Sequence, residues 1–117
     1  MPNYKRVTLK EVKQAYKTTK AKPATGFYFK ENSKKCCAMA ALALTHGITT
    51  SEQAWKWGTK KYGVKYEAGF VAGFDTCKLD MRKVNKLYVS ENTTERFLDG
   101  LTDGRRVALG LGLGRKK

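Results

Sequence analysis

Two segments with the same arrangement of glycines constrain the fold of this chain more than any other feature. One runs from Tyr66 to Gly73, and the other, 31 residues further on, runs from Phe97 to Gly104. Each has an aromatic residue first, glycine fourth, a large apolar residue fifth and a second glycine eighth. Glycine inside a helix costs ~1 kcal/mol relative to alanine. Two glycines in each of two helices therefore need a structural reason.

The spacing of these glycines indicates two helices that pack closely together. Glycines four residues apart lie on one helix face and allow another backbone to approach. We therefore predict that Gly69 and Gly73 on one helix face Gly100 and Gly104 on another. The alternative is a phosphate-binding loop, but the chain has neither a Gly-x-Gly-x-x-Gly nor a Walker motif.

The run from Cys36 to Leu44 leaves a helix no polar face. A helix that is apolar all round is a buried one. We expect a helix over residues 34–46, capped by Asn32 or Ser33, at the centre of the fold.

Capping residues and apolar periodicity predict a mainly α-helical, compact single-domain bundle of about five helices, with room for one short strand pair. Residues 77–90 fit either a helix or a strand. Residues 1–110 are expected to form the domain, with a basic N-terminal helix, and residues 111–117 a flexible basic tail. The predicted helices cover residues 8–20, 34–46, 50–63, 64–74 and 94–109.

The charge of the chain is concentrated at its ends. The net charge is +14, from 24 basic and 10 acidic residues. Residues 1–35 contribute +8, residues 105–117 contribute +5, and the residues between them contribute only +1. Clustered cations repel one another, so this distribution favours a polyanionic partner.

The predicted first helix carries a stripe of four lysines, Lys10, Lys13, Lys17 and Lys20. At about 100° per residue they fall within an arc of roughly 80°, beside the apolar residues of the same helix. A stripe of this kind is typical of a phosphate-binding surface, although it also occurs as a simple solubilising face. The basic residues expected to contact nucleic acid are Lys5, Arg6, Lys10, Lys13, Lys17, Lys20, Lys22, Lys34, Lys35, Arg105, Arg106, Arg115, Lys116 and Lys117.

Trp57 is the one aromatic residue that we add to this expected interface. Lys56, Lys60 and Lys61 surround it, and it lies off the predicted packing face of its helix, which includes Trp55. An aromatic ring in a basic surface can stack on unpaired bases. The alternative is that Trp57 makes a second packing contact with the core.

The cysteines and the histidine do not indicate a metal site. Cys36, Cys37 and Cys77 lack the Cys-x2–4-Cys spacing of zinc sites and fit better as small buried apolar residues. His46 is expected at the end of the buried helix, where an imidazole can bind the last carbonyls.

The acidic residues do not indicate catalysis. They include no close pair in apolar surroundings, which a tuned catalytic carboxylate requires. Asp99 and Asp103 are expected on a solvated or salt-bridged face with Arg96 and Arg106. We therefore expect a non-catalytic protein with no cofactor and no metal.

These observations favour a small cytoplasmic protein that binds nucleic acid, either DNA or RNA, through phosphate contacts with little sequence specificity. The alternative is a protein-interaction module, a small regulator or inhibitor that docks on an acidic protein surface. Three cysteines, two of them adjacent, argue against a secreted disulfide framework. No apolar stretch approaches the ~18 residues of a membrane span, so we expect no membrane partner. The oligomeric state stays open.

Overall fold

The computed structural model describes residues 5–114, which form six α-helices and one pair of two-residue strands. The prediction of a mainly helical fold is confirmed, with one helix more than the five predicted. The additional helix lies in the stretch whose sequence fits either a helix or a strand. No described helix has the length and apolar character needed to cross a membrane. The elements in chain order are α1 (Leu9–Thr19), β1 (Lys22–Pro23), β2 (Lys35–Cys36), α2 (Ala38–Leu44), α3 (Ser51–Tyr62), α4 (Val64–Asp75), α5 (Met81–Tyr88) and α6 (Glu95–Gly110).

Threonine side chains define the start of three helices. The hydroxyl oxygens of Thr8, Thr50 and Thr94 each accept a hydrogen bond, at 3.2–3.3 Å, from the amide three residues later. These bonds satisfy amides that the first turn of a helix leaves without partners. Asp80 does the same for α5, since its carboxylate accepts from the amide of Lys83 at 3.0 Å.

Helix α2 starts later than the sequence predicts because the residues before it form a strand. β2 pairs with β1 in parallel, and the amide of Lys22 donates to the carbonyl of Lys34 at 2.8 Å. Lys35 and Cys36 are therefore extended, and the helix begins only at Ala38. The prediction of a helix over 34–46 is wrong at its start, since contacts with a distant segment outweigh the local signal.

The shortened α2 is central to the fold. Every residue from Ala38 to Ala43 is buried. These residues join side chains of α1, α3, α4 and α6 in one core cluster. The helix ends at Leu44, two residues earlier than predicted.

Helices α4 and α6 pack backbone to backbone at the repeated glycines. A Cβ atom on Gly69 would overlap the carbonyl oxygen of Phe97. In the reciprocal position, a Cβ atom on Gly100 would overlap the carbonyl oxygen of Tyr66. Only glycine permits this approach, because the atom that would clash is backbone and cannot rotate away.

The next turn of each helix repeats this arrangement. A Cβ atom on Gly73 would overlap the carbonyl oxygen of Leu101, and one on Gly104 would overlap that of Phe70. One turn along α4 therefore corresponds to one turn along α6 in the same direction, so the two helices run parallel. The chain returns between them through α5.

Aromatic rings from α3 and α4 form a column through the core. Tyr62, Tyr66, Phe70 and Phe74 follow one another with neighbouring ring centroids 5.6–6.2 Å apart. All four side chains are buried. Tyr66, Phe70 and Phe74 are four residues apart and share one face of α4, and Tyr62 extends the column from the end of α3.

Residues 111–114, which the sequence assigns to the tail, form a turn after α6. Leu111 and Leu113 are partly buried against the core. The amide of Leu113 donates to the carbonyl of Ala108 at 3.0 Å, which folds this segment back on α6. The predicted tail residues 115–117 lie outside the described residues.

Candidate nucleic-acid interface

The lysines of α1 lie on one flank of the helix, away from the core. Val12, Ala15 and Tyr16 hold the helix on the core. The four lysines of the predicted stripe are exposed, and they are Lys10, Lys13, Lys17 and, at the C-cap, Lys20. Cations in the last turn and at the cap also interact favourably with the helix dipole.

The strand pair adds four lysines at the C-terminal end of α1. Lys22 lies opposite Lys35, and its amide donates to Lys34. Lys30 joins them because its amide donates to the carbonyl of Lys35 at 3.0 Å. Only one residue separates Lys20 from Lys22, so the two groups adjoin. We call the eight exposed residues Lys10, Lys13, Lys17, Lys20, Lys22, Lys30, Lys34 and Lys35 the lysine surface.

The lysine surface has no salt bridge that would neutralise it. None of its ammonium groups pairs with an acidic side chain among the described residues. Glu11 of the same helix points elsewhere, since it accepts hydrogen bonds from the hydroxyls of Thr8 at 3.0 Å and Tyr62 at 3.4 Å. A polyanion would relieve the repulsion among these charges.

The three predicted interface arginines within the described residues are engaged in the fold. Arg6 donates from Nε and Nη2 to the two carboxylate oxygens of Asp103, both at 2.8 Å. Arg106 donates to the same carboxylate at 2.8 Å. Arg105 donates to the carbonyl oxygen of Leu79, also at 2.8 Å. We therefore do not include these arginines in the lysine surface.

Asp103 is fully buried, so the expectation of a solvated face is wrong for this residue, although its salt bridges are present. The hydroxyl of Tyr66 donates to its carboxylate at 2.6 Å and accepts from the amide of Val7 at 2.8 Å. Burial alone would raise the pKa of Asp103. Hydrogen bonds from Arg6 and Tyr66, together with the charges of Arg6 and Arg106, outweigh it and lower the pKa below its ordinary value of 3.8.

Trp57 is engaged by neighbouring side chains. It is partly buried against the core, and its ring centroid lies 5.3 Å from that of His46 and 6.1 Å from that of Tyr62. The Nζ atom of Lys61 is 4.9 Å from the same ring. Trp55, which the sequence places on the packing face, is instead 47% exposed. Trp57 therefore packs against the core and its neighbours, and we do not include it in the lysine surface.

The remaining predicted contacts lie at the chain ends. Lys5 is exposed, and its carbonyl accepts from Arg96 at 3.1 Å, which fixes the backbone but leaves the ammonium free. The predicted contacts Arg115, Lys116 and Lys117 lie outside the described residues.

Sequence reasoning missed the buried carboxylate of Glu67 on α4. It is 1% exposed, and its Oε1 accepts from the hydroxyl of Tyr28 at 2.8 Å. Its Oε2 has no hydrogen-bond donor among the described residues. Burial raises the pKa of Glu67 to about 7, against a smaller opposing effect of the Tyr28 hydrogen bond. Its spacing from Phe70 and Phe74, at i, i+3 and i+7, is the signal that could have placed it on a buried face.

The histidine and the cysteines form no metal-ligand cluster among the described residues. Residues 5–114 contain no group of three or more histidine, cysteine, aspartate or glutamate side chains that could hold a metal ion. Cys36, Cys37 and Cys77 are buried thiols. Burial raises the pKa of Cys36 to about 11, which disfavours the reactive thiolate.

Comparison with protein families, with characterised proteins and with solved structures gives no match to this chain. Its function is therefore inferred from the lysine surface itself.

Proposed function

We propose that this protein is a non-catalytic nucleic-acid-binding protein whose lysine surface contacts phosphates. The observation that supports this most directly is the set of eight adjoining exposed lysines without an acidic partner among the described residues. Phosphate groups would neutralise these lysines and release condensed counterions. That release supplies most of the free energy of sequence-independent binding.

The side chains on this surface support backbone contacts over base-specific contacts. Lysine is a point charge on a flexible stem, whereas base edges are commonly read by arginine, asparagine or glutamine in bidentate geometry. The guanidinium groups of Arg6, Arg105 and Arg106 are directed to Asp103 and Leu79. We therefore expect little discrimination between sequences.

A salt series tests this proposal. Binding to a random-sequence duplex and to a random single strand is measured by fluorescence anisotropy between about 50 and about 200 mM salt. Each phosphate contact adds about 0.9 to the slope of log affinity against log salt for a duplex. Several contacts should therefore reduce affinity by at least about 100-fold over this range.

Matched variants locate the contacts. Lys10, Lys13, Lys17 and Lys20 are replaced together by glutamine, and the salt slope should fall by about 3 to 4. The control replaces four exposed lysines outside the surface by glutamine, so its net charge equals that of the first variant. These lysines are Lys60, Lys78, Lys83 and Lys86. The control should change affinity by no more than about 3-fold, because its charges lie outside the proposed contact.

Two outcomes would contradict the proposal. Equal losses in both quadruple variants would show that net charge acts without a defined surface. A nuclease-treated protein that binds neither nucleic acid, but retains one acidic protein, would favour the protein-interaction alternative.

A further inference from the structure

We propose that a cavity beside the lysine surface receives one unpaired base, so that the partner is a single strand. This inference rests on the proposed function and names the class of nucleic acid. The cavity, about 250 Å³ in volume, is lined by residues from the end of α1, the strand pair and the end of α2. Its lining includes Lys34, a member of the lysine surface.

The size and lining of the cavity fit a single base. Pockets for drug-sized ligands start at about 300 Å³, so this one suits a smaller group. Phe29, Leu44, Ala21 and Cys36 provide an aromatic and aliphatic lining. A base is flat and can stack on an aromatic ring whatever its identity.

Phe29 packs against the core, as Trp57 does, but lacks the ring contacts that Trp57 makes. It is partly buried and makes no ring contact with another described aromatic residue. Its backbone is held, because its amide donates to the hydroxyl oxygen of Ser51 at 3.2 Å. The fold thus holds Phe29 against the core and in the lining of the cavity, where a bound base would meet it.

Two polar groups in the lining are available as well. The hydroxyl of Thr49 and the ammonium of Lys34 both line the cavity, and neither side chain has a partner among the described residues. A hydroxyl both donates and accepts, so it tolerates the edge of any base.

Charge decides between a base and an apolar peptide side chain as the occupant. Residues that line the cavity alternate along the chain with lysines of the surface, as in Ala21-Lys22 and Lys35-Cys36. Neighbouring residues of an extended chain point to opposite sides, so Lys22 and Lys35 point away from the cavity, and Lys34 is the lysine that lines it. A largely apolar cavity with a lysine in its lining, next to the rest of the lysine surface, suits a base attached to phosphates. A duplex keeps its bases paired and cannot fill the cavity without flipping one out.

The inference is tested by Phe29→Leu, which keeps an apolar side chain but removes the aromatic face. Affinity for oligothymidylate should fall by about 5- to 100-fold, the usual effect of losing one stacked base. Affinity for a hairpin duplex with the same number of phosphates should stay within about 2-fold, since phosphate contacts are unchanged. The matched control is Tyr88→Leu, which removes an exposed ring from α5, outside the lysine surface.

A second measurement needs no variant. The wild-type protein is titrated with thymidine monophosphate and, separately, with inorganic phosphate, and backbone amide shifts are recorded by NMR. Amides of Ala21, Lys34 and Thr49 should shift with the nucleotide and not with phosphate alone. Equal shifts with both ligands would overturn the base cavity.

The two proposals fail in different ways. Salt-dependent binding that is equal for both nucleic acids and insensitive to Phe29→Leu overturns the cavity and leaves the phosphate surface intact. Absence of salt-dependent binding to either nucleic acid overturns both.

Discussion

Asp103 on α6 and Glu67 on α4 are the two buried acidic residues of the described chain, and they are held in opposite ways. The carboxylate of Asp103 accepts hydrogen bonds from two arginines and from a tyrosine hydroxyl. The carboxylate of Glu67 accepts one hydrogen bond, from a tyrosine hydroxyl, and no described cation lowers its pKa. The pKa is therefore lowered for Asp103 and raised to about 7 for Glu67. Burial sets the penalty for a charge, and the facing groups decide whether the charge persists.

The largest effect should come from Asp103→Asn. The change leaves Arg6 and Arg106 without their anion, and breaking a buried ion pair in this way costs about 3–5 kcal/mol. The Arg6 side chain is 43% exposed, so solvent screening places the loss near the lower end of that range. Urea unfolding at pH 7 measures it.

The matched control for that change is Asp99→Asn on the same helix. Asp99 is 26% exposed, and its contacts with Arg6 and Arg96 are longer, at 3.6 and 3.8 Å. Partly exposed pairs with contacts this long are weak, so the loss should be about 1 kcal/mol or less. Equal losses for Asp99→Asn and Asp103→Asn would show that the buried network has no special role.

The pH dependence of stability should separate the two carboxylates next. The folded chain holds a proton on Glu67 between its ordinary pKa of 4.5 and about 7, whereas the unfolded chain has released it. Stability should therefore fall by up to about 3 kcal/mol as pH rises through this window. For Asp103 the sign is reversed, because its pKa is lowered in the folded chain. Its ionised carboxylate stabilises the fold above pH 3.8, and this stabilisation is lost as the pH falls further.

Glu67→Gln isolates the first of these effects. The variant should lose most of the fall in stability between pH 4.5 and 7, because the titrating group is gone. The fall in stability at low pH, which is due to Asp103, should remain. Burial also raises the pKa of Asp75, so a shallow slope should remain. Thermal melts across this pH range provide the measurement. A wild-type stability that is constant from pH 4.5 to 7 would contradict the raised pKa of Glu67.

Gly58→Ala tests the space around Glu67, because the added methyl group would press on the Glu67 carboxylate. The added Cβ would overlap Oε2 of Glu67 and lie 3.1 Å from Cγ of Met39. Overpacking of this kind costs about 1–3 kcal/mol. In a Glu67→Ala background the cost should fall by about 1 kcal/mol or more, because the overlapping atoms are gone. An unchanged cost would show that Met39, not the carboxylate, limits the space.

The sequence predicted those parts of the site that depend on local spacing. The stripe from Lys10 to Lys20 follows from helical periodicity, because its members are three or four residues apart. Lys30 could not be found in this way. Its place depends on a hydrogen bond to Lys35 within a turn that the bridge between Phe29 and Cys36 closes. The cavity beside Phe29 likewise needs three separate segments to meet.

The sequence could not rank the charged residues by their surroundings. Arg6 and Lys10 look equally available to a phosphate from the sequence. The structure turns Arg6 to Asp103, 97 residues away along the chain, and leaves Lys10 exposed. Nothing near either residue in the sequence signals that difference.

By itself, the sequence determined where most of the helices begin, the glycine spacing and the lysine stripe. Caps and helical faces involve residues within about four positions of one another, so they are legible in the chain. The tertiary structure alone decided that the pKa of Asp103 is lowered, so that it stays charged, and that the pKa of Glu67 is raised to about 7. It also brought Lys22, Lys34 and Lys35 beside α1. These outcomes depend on which distant segments meet, because burial and facing charges belong to the packed molecule.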